Sequence, residues 1–161
     1  MDQTSRNFND DIRAMKIIHA AMLAGQIILG IIVFYLVYTG LLESAASDAD
    51  NIFKYLVPAM ALGSYLIGSI LFKKLTEVAR TNPELKEKLA GYRSALITSY
   101  AFLEGCSLFA IIATMLTSNM LYLGIAGVLM LYFLTIGPRR ERIVRDLDLS
   151  PSEEMKLMEK K

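Results

Sequence analysis

Residues Tyr92–Met120 read YRSALITSYAFLEGCSLFAIIATMLTSNM and decide the fold. After Arg93 this stretch carries a single charge, Glu104, 11 residues further on. At about 1.5 Å per residue, Glu104 stands roughly 16 Å into a helix. A bilayer's hydrocarbon core is about 30 Å thick, so that depth is near its midplane. An ionisable group there is costly, and by default marks a functional site facing protein or water.

Three further uncharged runs share this character: Ile17–Leu42 (26 residues), Tyr55–Phe72 (18) and Leu121–Pro138 (18). Their lengths suit membrane helices. A soluble helical core would show polar residues every three or four positions, and Ile27–Leu42 offers none. The expected fold is all-α and polytopic, with four transmembrane helices at about 16–42, 52–74, 92–117 and 120–138. A segment 1–15 precedes this 16–138 domain and a tail 139–161 follows it. The first run is longer than a signal-peptide core and lacks a clean cleavage site, so it reads as a retained helix.

Charge placement sets the expected topology. Of 17 basic residues, 16 fall before the first helix, between the second and third, or after the fourth; only Lys54 lies elsewhere. The positive-inside rule then puts both termini and the middle loop in the cytoplasm. The net charge of +1 gives no reason to expect nucleic acid. The arginines at 139, 140, 142 and 145 read as a topological anchor. One cysteine excludes an internal disulfide, and its apolar setting favours an inert thiol. There is no tryptophan, and eight tyrosines are left to mark the interfaces.

Local signals refine the elements. Asp48, Asp50 or Asn51 would cap the second helix. Asn82 and Pro83 would open the third, and Ser150, Pro151 and Glu153 a short terminal helix. Ala21 and Gly25, Ala59 and Gly63, and Ser64 and Gly68 are small residues four apart, the spacing that lets helices approach closely in lipid; Gly105 beside Glu104 joins them. His19, three residues inside Lys16, is expected at the interface, solvated or among headgroups. No second histidine or cysteine pair supports a metal site.

The chain also suggests a parallel repeat. AMLAGQIILGIIVFYL from Ala21 aligns without a gap to AFLEGCSLFAIIATML from Ala101, with six identities in 16 positions. Ala24 takes the place of Glu104. Two helical hairpins with one carboxylate between them is the simplest arrangement. Gln26, Gly63, Ser64 and Glu104 would share one depth, with Tyr100 and Ser107 on the Glu104 face. A protonated Glu104 would then donate to Gln26 or Ser64.

The segment ARTNPELKEKL, from Ala79, and the helix after it resemble the loop and second helix of rotary ATPase proteolipid (c or K) subunits. The matching positions are Arg80, Asn82, Pro83 and Glu104. The resemblance implies a carboxylate that binds or relays H+ or Na+. The pattern departs at Thr81, which splits the Arg–Asn pair, in the sparse glycines Gly63 and Gly68, and in the basic tail. The whole chain resembles more closely an uncharacterised family of four-helix inner-membrane proteins from Bacteroidota.

Two functions therefore stand open. One is ion handling at Glu104. The other is a non-catalytic scaffold or accessory subunit, forming a homo-oligomer or packing on a membrane-protein partner through small-residue faces. No triad, metal cluster or phosphate loop points to an enzyme, and no cofactor is implied. The topology is testable: cysteines introduced at Asp48 and Asn119 should react with an impermeant reagent applied outside intact cells. Reaction only after the inner face is opened would refute the orientation.

Overall fold

The computed structural model describes residues 3–42 and 49–158. Among the described residues six helices follow one another: α1 (Gln3–Tyr38), α2 (Asp50–Arg80), α3 (Leu85–Thr117), α4 (Met120–Thr135), α5 (Arg140–Leu147) and α6 (Pro151–Met158). Among the described residues there is no strand. Three helices are long and apolar enough to cross a membrane; a fourth span is counted only if α4 and α5, bent by 79° at their junction, are taken together. Apolar side chains such as Ile17, Ile28, Ile31, Leu62 and Val128 project outward from these helices. Outward apolar surface on this scale suits a membrane-embedded protein.

α1, α2 and α3 are longer than the helices read from the sequence. α1 begins well before Lys16, because Ile12 and Met15 continue the buried stripe that includes His19 and Leu23. It stops at Tyr38 rather than Leu42. Gly40 adopts φ +70°, and the amides of Gly40 and Leu41 return to the carbonyls of Val37 and Leu36, a Schellman closure. The capping expected of Asn82 and Pro83 is not used: they lie in the α2–α3 turn, and Glu84 precedes the first residue of α3. At the other end of α3, Ser118 takes a left-handed φ of 56°. Asn119 then caps α4 by accepting from the amide of Leu121 at 3.0 Å.

Asp50 lies in the first turn of α2 and caps nothing with its side chain. Its carboxylate instead accepts from Tyr122 Oη at 2.6 Å and from Asn119 Nδ2 at 3.0 Å, tying the start of α2 to that of α4. The capping role considered for Asp48 lies outside the described residues.

α3 is the central helix. It packs most extensively on α2, then on α4 and α1, whereas α1 and α2, consecutive in the chain, scarcely meet. The first of the two expected hairpins is therefore not a packed pair; α3 holds the middle. Its buried side chains, among them Tyr92, Leu96, Tyr100, Leu103, Ala110 and Ile111, run its full length. α1 and α3 run parallel: Asp11 pairs with Arg93 at 3.4 Å, His19 lies against Tyr100, and Gly30 faces Ile111.

The termini and the α2–α3 turn gather at one end. Tyr92 donates to Asp146 at 2.9 Å, Arg80 donates to the Asp146 carbonyl, and Lys88 pairs with Glu153 at 2.9 Å. α6 has the expected start, with Glu153 accepting from the amide and hydroxyl of Ser150, both at 2.9 Å. Hydrogen bonding from Lys88 foremost, and then from Ser150, lowers the Glu153 carboxyl to about 2. This folded value lies below the unfolded one of about 4.3, so the contact stabilises above that pH and fades as pH falls from about 4 to 2. Because the pair still meets water, its loss should cost about 1 kcal/mol. Glu153→Gln should flatten the acid limb of the melting profile in that window, and an unchanged limb would refute the linkage.

α2 and α3 approach closely just below this junction. A Cβ on Gly91 would fall 2.8 Å from Ala79 Cβ, so only glycine lets α2 and α3 meet there. Gly91→Val should destabilise by about 1–3 kcal/mol, read from thermal unfolding in detergent.

Candidate functional site

The sequence-selected residues do not form one cluster. Glu104 lies on the α1 side of α3, half-buried, and makes no hydrogen bond or ion pair with the described residues. Gln26 is buried but donates to the Met22 carbonyl of its own helix at 3.3 Å. Ser64 donates to the Ala61 carbonyl at 3.0 Å and packs beside Cys106 on the α2 side of α3. Neither makes the expected bond to Glu104. Each side chain is drawn to a carbonyl three or four residues back along its own helix, which lies nearer than any neighbouring helix. Ser107 is fully buried and its hydroxyl has no partner among the described residues.

The small residues divide similarly. Gly68 does bring helices together: a Cβ there would lie 3.5 Å from the Ser99 carbonyl oxygen. Ala21, Gly25 and Gly105 are exposed, Gly63 is half-buried, and Cβ atoms built on these three glycines would meet nothing within 4 Å. They do not pack this bundle together. The register of α1 on α3 puts Gly25 within a turn of Glu104 in height. The outer surface there combines small residues of two helices with a carboxyl that has no partner among the described residues.

His19 corrects the sequence expectation of an interfacial, solvated imidazole. It is buried at 9% exposure, stacked on Phe133 at 4.6 Å and tilted against Tyr100 at 5.1 Å, with the Cα of Gly137 leaving room for the ring. Its Nε2 lies 2.9 Å from the Phe133 carbonyl, so the tautomer protonated at Nε2 donates there. Three residues on, the Ile136 carbonyl accepts from Tyr100 Oη at 3.0 Å and Arg142 Nη1 at 2.9 Å. Where α4 breaks before Pro138, the Ile136 amide reaches the Phe133 carbonyl at 3.2 Å and His19 adds a second donor, while the Ile136 carbonyl takes both of its donors from outside α4. α4 is therefore 16 residues long, roughly 24 Å, shorter than the span 120–138 read from the sequence. Sequence reasoning missed this cluster because its members are 114 and 36 residues apart in pairs. The available signal was the proline after a long apolar run, which leaves carbonyls in need of donors.

Beside the break lies a cleft of about 900 Å³. Its back wall is α3 at Leu96, Ser99 and Tyr100, its sides are α2 and α4, and α5 forms its inner lip. Tyr132 lines it and meets Tyr65 of α2 edge to face at 5.1 Å. Among the described residues no group of three metal-ligating side chains forms.

Comparison with family models, with curated proteins and with solved structures found no match.

The His19 contact carries its own test. Replacing His19 by Leu keeps apolar volume but removes the side-chain donor to the Phe133 carbonyl, leaving it only the Ile136 amide at 3.2 Å. The loss of that one bond should cost about 0.5–1.5 kcal/mol in thermal unfolding, whereas His19→Gln, which can still donate, should recover part of it.

Proposed function

We propose that this chain is a non-catalytic membrane subunit that packs on another transmembrane helix along its α1–α3 face. One observation carries the reading: Glu104, near mid-span, is half-exposed on an outer surface and has no partner among the described residues. Placing a carboxyl in hydrocarbon costs about 2.5–3.5 kcal/mol on insertion scales, and such groups almost always face protein or a water-filled cavity. A chain that leaves one outward is relieved when a second helix covers it and supplies a hydrogen bond. The exposed Ala21, Gly25 and Gly105 suit that approach, since small side chains let backbones come close in lipid. In this reading the membrane is a bacterial inner membrane, with the termini cytoplasmic.

Glu104 would then be the polar contact of an interface formed with a homo-oligomer or a membrane-protein partner. An H+ or Na+ carried by the same carboxyl is the competing reading, and the exposure of Glu104 favours it over a sealed packing role. Carbodiimide modification of Glu104 that Na+ slows, together with a monomeric parent, would replace the subunit reading with the ion-carrying one.

The assembly has a direct test. Because open space surrounds Gly105, Gly105→Leu should leave the melting point of the isolated bundle unchanged while shifting its mass in mild detergent to the monomer. Glu104→Gln, which keeps hydrogen-bonding capacity, should retain the larger mass. A parent chain that is monomeric and partner-free both in detergent and after crosslinking in membranes would overturn the proposal.

A further inference from the structure

The cleft at the inner end lies on the other side of α3 from the Glu104 face, and its reading is independent of that proposal. Its walls carry Lys73, Arg80, Arg139, Arg142 and Arg145. Against them stand Glu77, Glu141 and Asp146, leaving an excess of two positive charges. Three arginines are already committed. Arg80 donates to the Asp146 carbonyl, Arg142 to the Asp146 carboxylate and the Ile136 carbonyl, and Arg145 pairs with Asp146 at 3.6 Å. Lys73 and Arg139 make no hydrogen bond or ion pair with the described residues. They stand on different walls, Lys73 on α2 and Arg139 at the α4–α5 break. One turn beyond Lys73 on the same wall, Thr76 is 4% exposed and its hydroxyl has no partner among the described residues. A buried hydroxyl of this kind is a polar group awaiting an acceptor or donor.

The rest of the lining is mixed: Phe72, Leu96 and Ile136 are apolar, Ser69, Ser99 and Thr135 carry hydroxyls, and Tyr132 meets Tyr65 of α2 edge to face. α3 closes the back, so the cleft opens sideways between α2 and α4. It thus sets an excess of cations beside the apolar surface of Phe72, Leu96 and Ile136, within reach of the bilayer. A soluble anion would satisfy the first half alone. A zwitterionic lipid brings its own cation and gains little from the excess charge.

We propose that this cleft binds an anionic glycerophospholipid of the adjoining leaflet. Its phosphate is held between Lys73 and Arg139, and its acyl chains leave between α2 and α4. Basic recesses between membrane helices recognise such headgroups at about 1 kcal/mol per cation near the surface.

The test titrates the full-length chain, in neutral detergent, with phosphatidylglycerol, phosphatidylcholine and inorganic phosphate, reading the melting midpoint and lipid retention by native mass spectrometry. Phosphatidylglycerol should raise the midpoint saturably and stay bound, while phosphatidylcholine and millimolar phosphate should not. Lys73→Gln combined with Arg139→Gln should weaken the response about thirtyfold, the equivalent of two such contacts. Lys54→Gln combined with Lys86→Gln removes as much charge outside the cleft and should respond like the parent. Equal responses to the two lipids, no response to phosphatidylglycerol, or a cleft variant that titrates like the parent would overturn the proposal. A shift produced by inorganic phosphate alone would also overturn it, making the occupant a soluble anion.

Discussion

The carbonyl groups at the C-terminal end of α4 must find donors where water is scarce, and the molecule is built around meeting that need. Proline cannot continue the helix, and each open carbonyl buried without a partner would cost about 1–3 kcal/mol. His19 supplies one donor from α1, and Tyr100 and Arg142 supply two more from α3 and α5. Three helices are thereby fixed to the end of a fourth. His19 stacked on Phe133, with Tyr100 tilted against both, fills the space between those bonds. Positive Arg142 also faces the negative end of the helix dipole, an arrangement that favours the same geometry.

This junction shapes what surrounds it. Stopping α4 early turns the chain by 79° into α5, so α5 lies across the end of the bundle instead of extending it. The turn brings Asp146 to Tyr92, Arg80 and Arg142, and α6 follows to meet Lys88. It also leaves α2 and α4 apart at this level, which is what opens the cleft. At the opposite end, Asp50, Asn119 and Tyr122 draw α2 and α4 back together.

The central position of α3 has a second consequence. Because α1 touches α3 and α4 but hardly α2, most of the α1 circumference stays free. In lipid no hydrophobic force compels such a surface to be buried, so association there depends on close packing and polar contacts. Glu104 and the small residues around it are the features of that surface able to provide both.

Much of this was legible in the chain itself. Long uncharged runs can satisfy their backbone in a bilayer only as helices, so the apolar spans followed from composition and length. The Ser150–Glu153 capping box was equally local, because both members lie within one turn. The packing partners were not legible. Gln26 and Ser64 were at the right depth for Glu104, yet depth fixes only height along a helix, and rotation about its axis decides which neighbour a side chain meets. His19 was misplaced for the same reason: counting residues from Lys16 gave its depth but not the Phe133 carbonyl waiting beside it. The sequence alone determined where the chain is apolar, helical and interrupted, since those properties rest on neighbours within a few residues. Only the tertiary structure decided that α3 is central, that Glu104 faces outward and that α4 ends against His19. Those outcomes depend on contacts between residues far apart in the chain, whose geometry no local pattern encodes.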